Sequence, residues 1–275
     1  MVEFVSFEVT TRIGCPVHCI KYCPQEVLVK QYQGEKNLSL ANFKKFISTV
    51  PTDVVIGFCG FVEPFVNQEC PDMMLYAHDK GHEIVVATTL VGLTPKDADR
   101  ILHIPFKIFT LHLPDAYGNA NIRTTPEYLE TLGKVLTRVE NIGFMNMGKG
   151  FATNNNENIH RGLVAPIRKG RIFCPYHDKS NLQAMPNGDV YFCCMTRGIE
   201  GKVGSMWNNT YDELASPEMF NVYSEELQKN PNSICHKCKF AYPYWWRHLE
   251  RFKTKHFGDK ENLADIAVRK IKSVI

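Results

Sequence analysis

Residues 3–23 read EFVSFEVTTRIGCPVHCIKYC, and this stretch decides the architecture. Its first part, Glu3–Thr11, alternates apolar with polar residues and is rich in Val and Phe, the pattern of a strand. Its second part sets Cys15, Cys19 and Cys23 in a C-x3-C-x3-C spacing directly after that strand. Three thiolates so close in sequence can wrap one metal centre. A closed structural zinc site wants four ligands, and His18, beside Cys19, is badly placed to be the fourth. Three cysteines suit a four-iron cluster with one iron left open for a further ligand. The alternative is a zinc site or free core thiols.

Working outward, the chain alternates. Ser39 is an N-cap for an amphipathic helix over Leu40–Val50, and Asp53–Cys59 is a buried strand. Cys70–Lys80 is helical with Gly81 at its C′ position, and Glu83–Thr89 is a second buried strand. Thr94–Leu102 is a short helix, Phe106–Leu113 a strand, Thr125–Val139 a helix with Pro126 in its first turn, and Asn141–Met147 a strand. Repeated βα units predict a parallel sheet or a (β/α) barrel, in which chemistry sits at the carboxyl ends of the strands. The cysteine triplet follows the first strand at that end.

The chain has 275 residues, 44% of them hydrophobic and 22% charged, which excludes a disordered chain and allows a sizeable core. Its 32 basic and 29 acidic residues leave a net charge of +3, too mild for a nucleic-acid binder or a polybasic membrane protein. The N-terminus has no basic, apolar signal pattern and no run reaches about 18 apolar residues, so a cytoplasmic protein is expected. Thiols stay reduced there, and clustered cysteines are read as metal ligands rather than disulfides.

There are ten cysteines, and none lies between Cys70 and Cys174. After about residue 150 the chain turns polar, and residues 171–240 carry turn signals between short aromatic runs. Cys174 and Cys193 flank a hairpin whose turn is Pro186-Asn187-Gly188-Asp189, and Cys235-x2-Cys238 follows. Together they make a four-thiolate site for zinc or an iron–sulfur cluster. Cys194 adjoins Cys193, and spacing favours Cys193. Cys59 and Cys70 read as small buried hydrophobes. Residues 1–165 are expected to form the barrel, 166–242 a small α+β module organised by metal, and 243–275 a helical extension with a helix over Glu261–Ser273. Tyr242, Tyr244, Trp245 and Trp246 read as packing between the parts, and the basic C-terminal residues as a solvated face.

The triplet in this setting resembles that of the radical SAM superfamily, where a cysteine triplet, usually C-x3-C-x2-C, follows the first barrel strand. Here the second gap is three residues. The resemblance implies a partial (β/α)6 barrel and a [4Fe-4S] cluster held by Cys15, Cys19 and Cys23 whose open iron binds S-adenosylmethionine (SAM). Tyr22, the aromatic residue before the last cysteine, would lie near the adenine. Gly60-Phe61-Val62-Glu63-Pro64 is similar to the family's Gly-Gly-Glu-Pro motif, so Gly60 and Glu63 would meet the methionine amine. Thr89, at the end of the third strand, and Thr110, on the fourth, would contact SAM. His112 shares a strand face with Thr110 and would be an acid/base group or a substrate anchor.

Cys174–Leu214 looks like a SPASM or twitch extension, with its Gly188-x4-Cys193 step and Tyr211-Asp212-Glu213-Leu214. That implies a second, auxiliary [4Fe-4S] cluster on Cys174, Cys193, Cys235 and Cys238. The expected activity is hydrogen-atom abstraction from a small polar substrate of sugar or aminocyclitol type, with the auxiliary cluster as electron acceptor. An external one-electron donor such as flavodoxin or ferredoxin would feed it, and no nucleic-acid or membrane partner is expected. The barrel starts almost at residue 1, so no N-terminal peptide-recognition domain is expected. The competing readings are a peptide- or protein-modifying radical SAM enzyme and a non-catalytic zinc or iron–sulfur protein.

Overall fold

Alternation along Phe4–Phe7 (β1) splits its side chains between two faces. Phe7 packs edge-on against Phe43 and Phe46 at 4.9 and 5.8 Å between ring centroids, so its face lies under a helix. The opposite face carries Phe4, Ser6 and, beyond the strand, Glu8. The computed structural model that shows this describes residues 3–11, 17, 32–60, 62–114, 120–146, 168–174, 181–193, 200–238 and 241–248.

The expected βα units are present. Helix α1 (Leu40–Ile47) starts at Ser39, whose side chain accepts from the Asn42 N–H at 3.2 Å. Strand β2 (Val55–Phe58) is buried throughout. After a 3₁₀ turn at Pro64–Val66 come α2 (Cys70–Asp79) and β3 (Ile84–Thr88). Gly81, just past the α2 C-cap, has φ +92°, a conformation glycine adopts without a Cβ penalty. Helix α3 (Pro95–Ile101) is capped by Thr94, and α4 (Pro126–Arg138) by Thr125, each with Pro in its first turn. Strands β4 (Ile108–Leu113) and β5 (Ile142–Asn146) complete the parallel set.

Beyond that lie β6 (Ile172–Phe173), β7 (Asn181–Ala184), β8 (Asp189–Tyr191), β9 (Lys202–Ser205), α5 (Tyr211–Leu214), α6 (Pro217–Lys229), a 3₁₀ turn at Ile234–Lys237 and β10 (Tyr242–Pro243). Helix α6 was not among the expected elements, although Ser216 caps it and Pro217 opens it. The boundary expected near residue 165 and the helix over 261–273 lie outside the described residues.

One eight-stranded sheet runs β5-β4-β3-β2-β1-β7-β8-β9. Strand β7, from the C-terminal module, pairs parallel with β1, Phe4 opposite Asn181 through Phe7 opposite Ala184. It is the sixth parallel strand of the sheet. The β7–β8 hairpin turns at Gly188, with φ +86°. A Cβ there would collide with the Trp207 indole, whose Nε1–H donates to the Asn187 carbonyl at 2.7 Å.

The register assigns the faces. Ile84, Val86, Phe109 and Leu111 are buried toward the helices, while Val85, Ala87, Thr110 and His112 are half-buried on the opposite, open face. That face is the concave side, and Ser6, opposite Gly57, shares it. Gln183 pairs with Ser6 and is 0% exposed, and among the described residues neither its amide nitrogen nor its oxygen has a hydrogen-bond partner. A buried amide without partners costs stability. Gln183→Leu, of similar volume, is therefore expected to raise stability by about 1–2 kcal/mol, read as a higher melting temperature in calorimetry.

Candidate functional site at the carboxyl ends of the strands

The loops leaving β1, β2 and β3 meet in a knot of buried polar groups. Glu63, 6% exposed, stands at its centre as the N-cap of the Pro64–Val66 turn. Its carboxylate accepts from the Thr88 hydroxyl at 2.6 Å, the Thr89 N–H and hydroxyl at 2.7 Å each, and the Phe65 N–H at 3.4 Å. The Thr88 hydroxyl in turn accepts from the Leu90 N–H. Burial outweighs these donors and pushes the Glu63 carboxyl above its ordinary range. Glu63 was expected to face an ammonium group. In the structure it ties the end of β2 to the end of β3.

Glu8 lies closer to the concave side. It is 1% exposed, and its carboxylate accepts from the Val62 N–H at 3.0 Å. A Cβ on Gly60 would overlap that carboxylate, so the missing side chain at Gly60 is what lets Glu8 reach the β2 loop. Sequence reasoning missed Glu8. The signal was a charged residue on the polar side of an alternating strand that a parallel sheet buries on both faces. Asn67 was missed too; its Nδ2–H2 bridges the carbonyls of Val9 and Leu38 at 2.8 Å each, pinning the β1 exit to the chain before α1.

Thr89 thus belongs to the Glu63 knot, while Thr110 and His112 stand together on the open face of β4, opposite Gly143 and Met145. Cys59 sits at the end of β2 with its Sγ 3.0 Å from the Ser6 hydroxyl. Cys70 is buried, and burial together with the charge of Glu63 raises its thiol well above the ordinary range. Cys15, Cys19, Tyr22 and Cys23 lie outside the described residues. Val17, between the first two of these cysteines, is described. It is buried in a turn, and its carbonyl accepts from the Asn121 N–H at 2.6 Å. That contact holds Val17 against the loop that follows β4. The same loop borders a cavity of about 460 Å³ lined by Leu90–Thr94, Asn121, Arg123, Thr125, Glu127 and Tyr128.

Contacts beside the four C-terminal cysteines link the segments that carry them. β6 and β10 pair with Phe173 opposite Tyr242, placing Cys174 beside the segment that follows Cys238. Glu200 accepts from the Ser233 hydroxyl and the Ile234 N–H, and the adjacent Gly201 carbonyl accepts from the Phe192 N–H, bringing the Cys193 end toward Cys235. Cys174, Cys235 and Cys238 are buried. Burial, reinforced by Cys238 and Glu200, pushes the Cys235 thiol up to about 12. Among the described residues no three His, Cys, Asp or Glu side chains stand at metal-ligating distance from one another. The donor set itself, four sulfurs in a largely buried setting, fits an iron–sulfur cluster and not a hard cation such as magnesium or calcium.

No protein-family model matches the sequence, and no curated protein matches it. Solved structures do. BtrN in complex with AdoMet and 2-DOIA superposes with a TM-score of 0.63 at 12% identity, over 89% of this chain and 94% of BtrN. The anSMEcpe structure with bound AdoMet gives 0.52 at 14% identity, over 86% and 83%. The same protein with AdoMet and the Cp18Cys peptide gives 0.51 at 12% identity, over 86% of each chain. These neighbours are radical SAM enzymes. The chain accordingly shares their fold, a partial βα barrel continued by a C-terminal module. Among the described residues no helix is long and apolar enough to cross a membrane.

Proposed function

We propose that the chain is a radical SAM enzyme that removes a hydrogen atom from a small polar substrate of sugar or aminocyclitol type. The observation that carries this is the nearly end-to-end fold match with BtrN, solved with AdoMet and 2-DOIA. The cysteine triplet directly after β1 supports it.

When bound, a [4Fe-4S] cluster with SAM supplies reductive cleavage to a 5′-deoxyadenosyl radical. Cys15, Cys19 and Cys23 would hold that cluster, and Cys174, Cys193, Cys235 and Cys238 the auxiliary one. The chain's own residues do the rest. Glu63 fixes the β2 and β3 exits through its four hydrogen bonds, and the methionine end of SAM would rest on that floor. The Glu8 carboxyl lies beside Gly60, where it would receive an ammonium group. Thr110 and His112 project from β4 on the open face, where Thr110 binds a hydroxyl and His112 accepts a proton at a ring nitrogen as the substrate is oxidised. Flavodoxin or ferredoxin would supply the electron for SAM cleavage, and the auxiliary cluster would take the electron that the substrate gives up.

The peptide-bound anSMEcpe structure supports a second reading, a peptide-modifying enzyme. Anaerobic reconstitution tests the common part. About eight iron per chain are expected, together with 5′-deoxyadenosine from SAM under reduction. Zinc alone, or iron without 5′-deoxyadenosine, overturns the proposal. Turnover stimulated by amino sugars rather than by peptides separates the two substrate classes.

A further inference from the structure

The cavity of about 460 Å³ between the β3 exit and the start of α4 has no part in the chemistry described so far. One wall is the loop that leaves β3, and the other is the first turn of α4. The loop is held in a fixed shape. Leu90 has φ +65°, the only positive φ outside glycine among the described residues, and a leucine there is strained. Its N–H donates to the Thr88 hydroxyl at 2.8 Å. Gly92 follows with φ +96°, and a Cβ on it would run into the Phe65 carbonyl. The wall is therefore preformed, and the volume falls within the range of about 300–1,000 Å³ usual for small-molecule sites.

The other wall supplies donors. Tyr128 lines the cavity and is 7% exposed, and among the described residues its hydroxyl has no hydrogen-bond partner. Burial and the charge of Glu63 push that hydroxyl up to about 12, so it keeps its proton and can donate it. A buried hydroxyl without a partner costs stability that a phenylalanine would not. Arg123 also lines the cavity; it is exposed, and among the described residues its guanidinium has no ion pair or hydrogen bond. Thr125 accepts from the Tyr128 N–H at 3.2 Å, which leaves its own O–H free to donate. Pro126 has no N–H, so Glu127 offers the first backbone donor at the positive end of this thirteen-residue helix. One group opposes these, the exposed Glu127 carboxyl.

We propose that this cavity binds the phosphate group of a phosphorylated sugar through Arg123, the Tyr128 hydroxyl and the N-terminal end of α4. The substrate of the proposed reaction is then a sugar phosphate rather than a free sugar. That assignment rests on the reading of the chain as an enzyme acting on a sugar-like substrate; the anion site does not. The donors come from a side chain at the rim, a side chain rising from the core and a helix end. A tetrahedral group with three free oxygens can take donors from such different sides, whereas a carboxylate takes its strongest donors close to one plane.

The test is calorimetry on the full chain, reconstituted with iron and sulfide, with glucosamine 6-phosphate, glucosamine and inorganic phosphate as probes. The phosphorylated sugar is expected to bind about tenfold tighter than glucosamine, with inorganic phosphate competing. Affinity for inorganic phosphate is expected to fall about tenfold in Arg123→Gln and about fivefold in Tyr128→Phe. Tyr128→Phe is expected to melt no lower than the parent, so its weaker binding is not a folding defect. Glu127→Gln, which removes the opposing charge, is expected to bind phosphate more tightly. Equal affinity for the two sugars overturns the proposal, and so does unchanged phosphate affinity in either Arg123→Gln or Tyr128→Phe. Acetate bound as tightly as phosphate makes this a carboxylate site and overturns it. Displacement of phosphate by SAM assigns Arg123 to the cofactor and also overturns it. Formation of 5′-deoxyadenosine from SAM under reduction is read on the same preparation. Where it persists without phosphate binding, this inference alone fails; where it is absent while phosphate binds, the enzyme reading fails and the anion site is upheld.

Discussion

In a Cys19→Ala protein, 5′-deoxyadenosine formation from SAM under reduction falls to background. The triplet offers three thiolates, and a cubane already short of a fourth protein ligand does not survive the loss of another. Chromatography of the quenched reaction reads the product, and iron content is expected to fall from about eight to about four per chain. Cys70→Ala is the contrast. Cys70 is fully buried on α2, held as a thiol by burial and by the charge of Glu63. Its replacement removes a packed sulfur, lowers stability modestly and leaves SAM cleavage in place. If Cys19→Ala still cleaves SAM, the triplet does not hold the cluster.

Glu63→Ala has the second large effect, on stability as well as on cofactor affinity. It strands the Thr89 N–H, the Phe65 N–H and two hydroxyls in a setting closed to water. The Thr88 hydroxyl can turn elsewhere, but a stranded buried N–H costs about 1–3 kcal/mol. A total loss of about 3 kcal/mol is expected, roughly 6–12 °C in melting temperature for a chain of this size. Glu63→Gln keeps one acceptor oxygen and offers its amide to a threonine hydroxyl, and so is expected to retain most of the stability. Scanning calorimetry of the two variants separates the roles. If Glu63→Ala melts with the parent, the carboxylate does not tie the β2 and β3 exits together.

Local chemistry made much of the barrel readable. Ser39, Thr94 and Thr125 cap helices where their side chains satisfy the first free N–H groups, and Gly81 and Gly188 stand where φ is positive. These signals act over a few residues and do not depend on the rest of the fold. Helix α6 carries the same signals at Ser216 and Pro217.

What stayed hidden depends on distant partners. That Glu63 faces Thr88 and Thr89 while Glu8 fills the space over Gly60 follows from how three loops converge, and no spacing encodes it. The pairing of β7 with β1 was equally invisible. A four-residue strand reading Asn-Leu-Gln-Ala could join any edge, and the turn after it points only to its hairpin with β8. The fold likeness to BtrN covers both modules and agrees with a single connected architecture.

The β1–β7 pairing also orders events during synthesis. Phe4–Phe7 leaves the ribosome long before Asn181–Ala184, so one of its edges waits for that strand before its hydrogen bonds are complete. Until then the strand beside the cysteine triplet has an open, hydrophobic edge of the kind that invites pairing between chains. A nascent barrel is therefore vulnerable for most of its translation, and it matures only when the segment bearing the second set of cysteines has emerged.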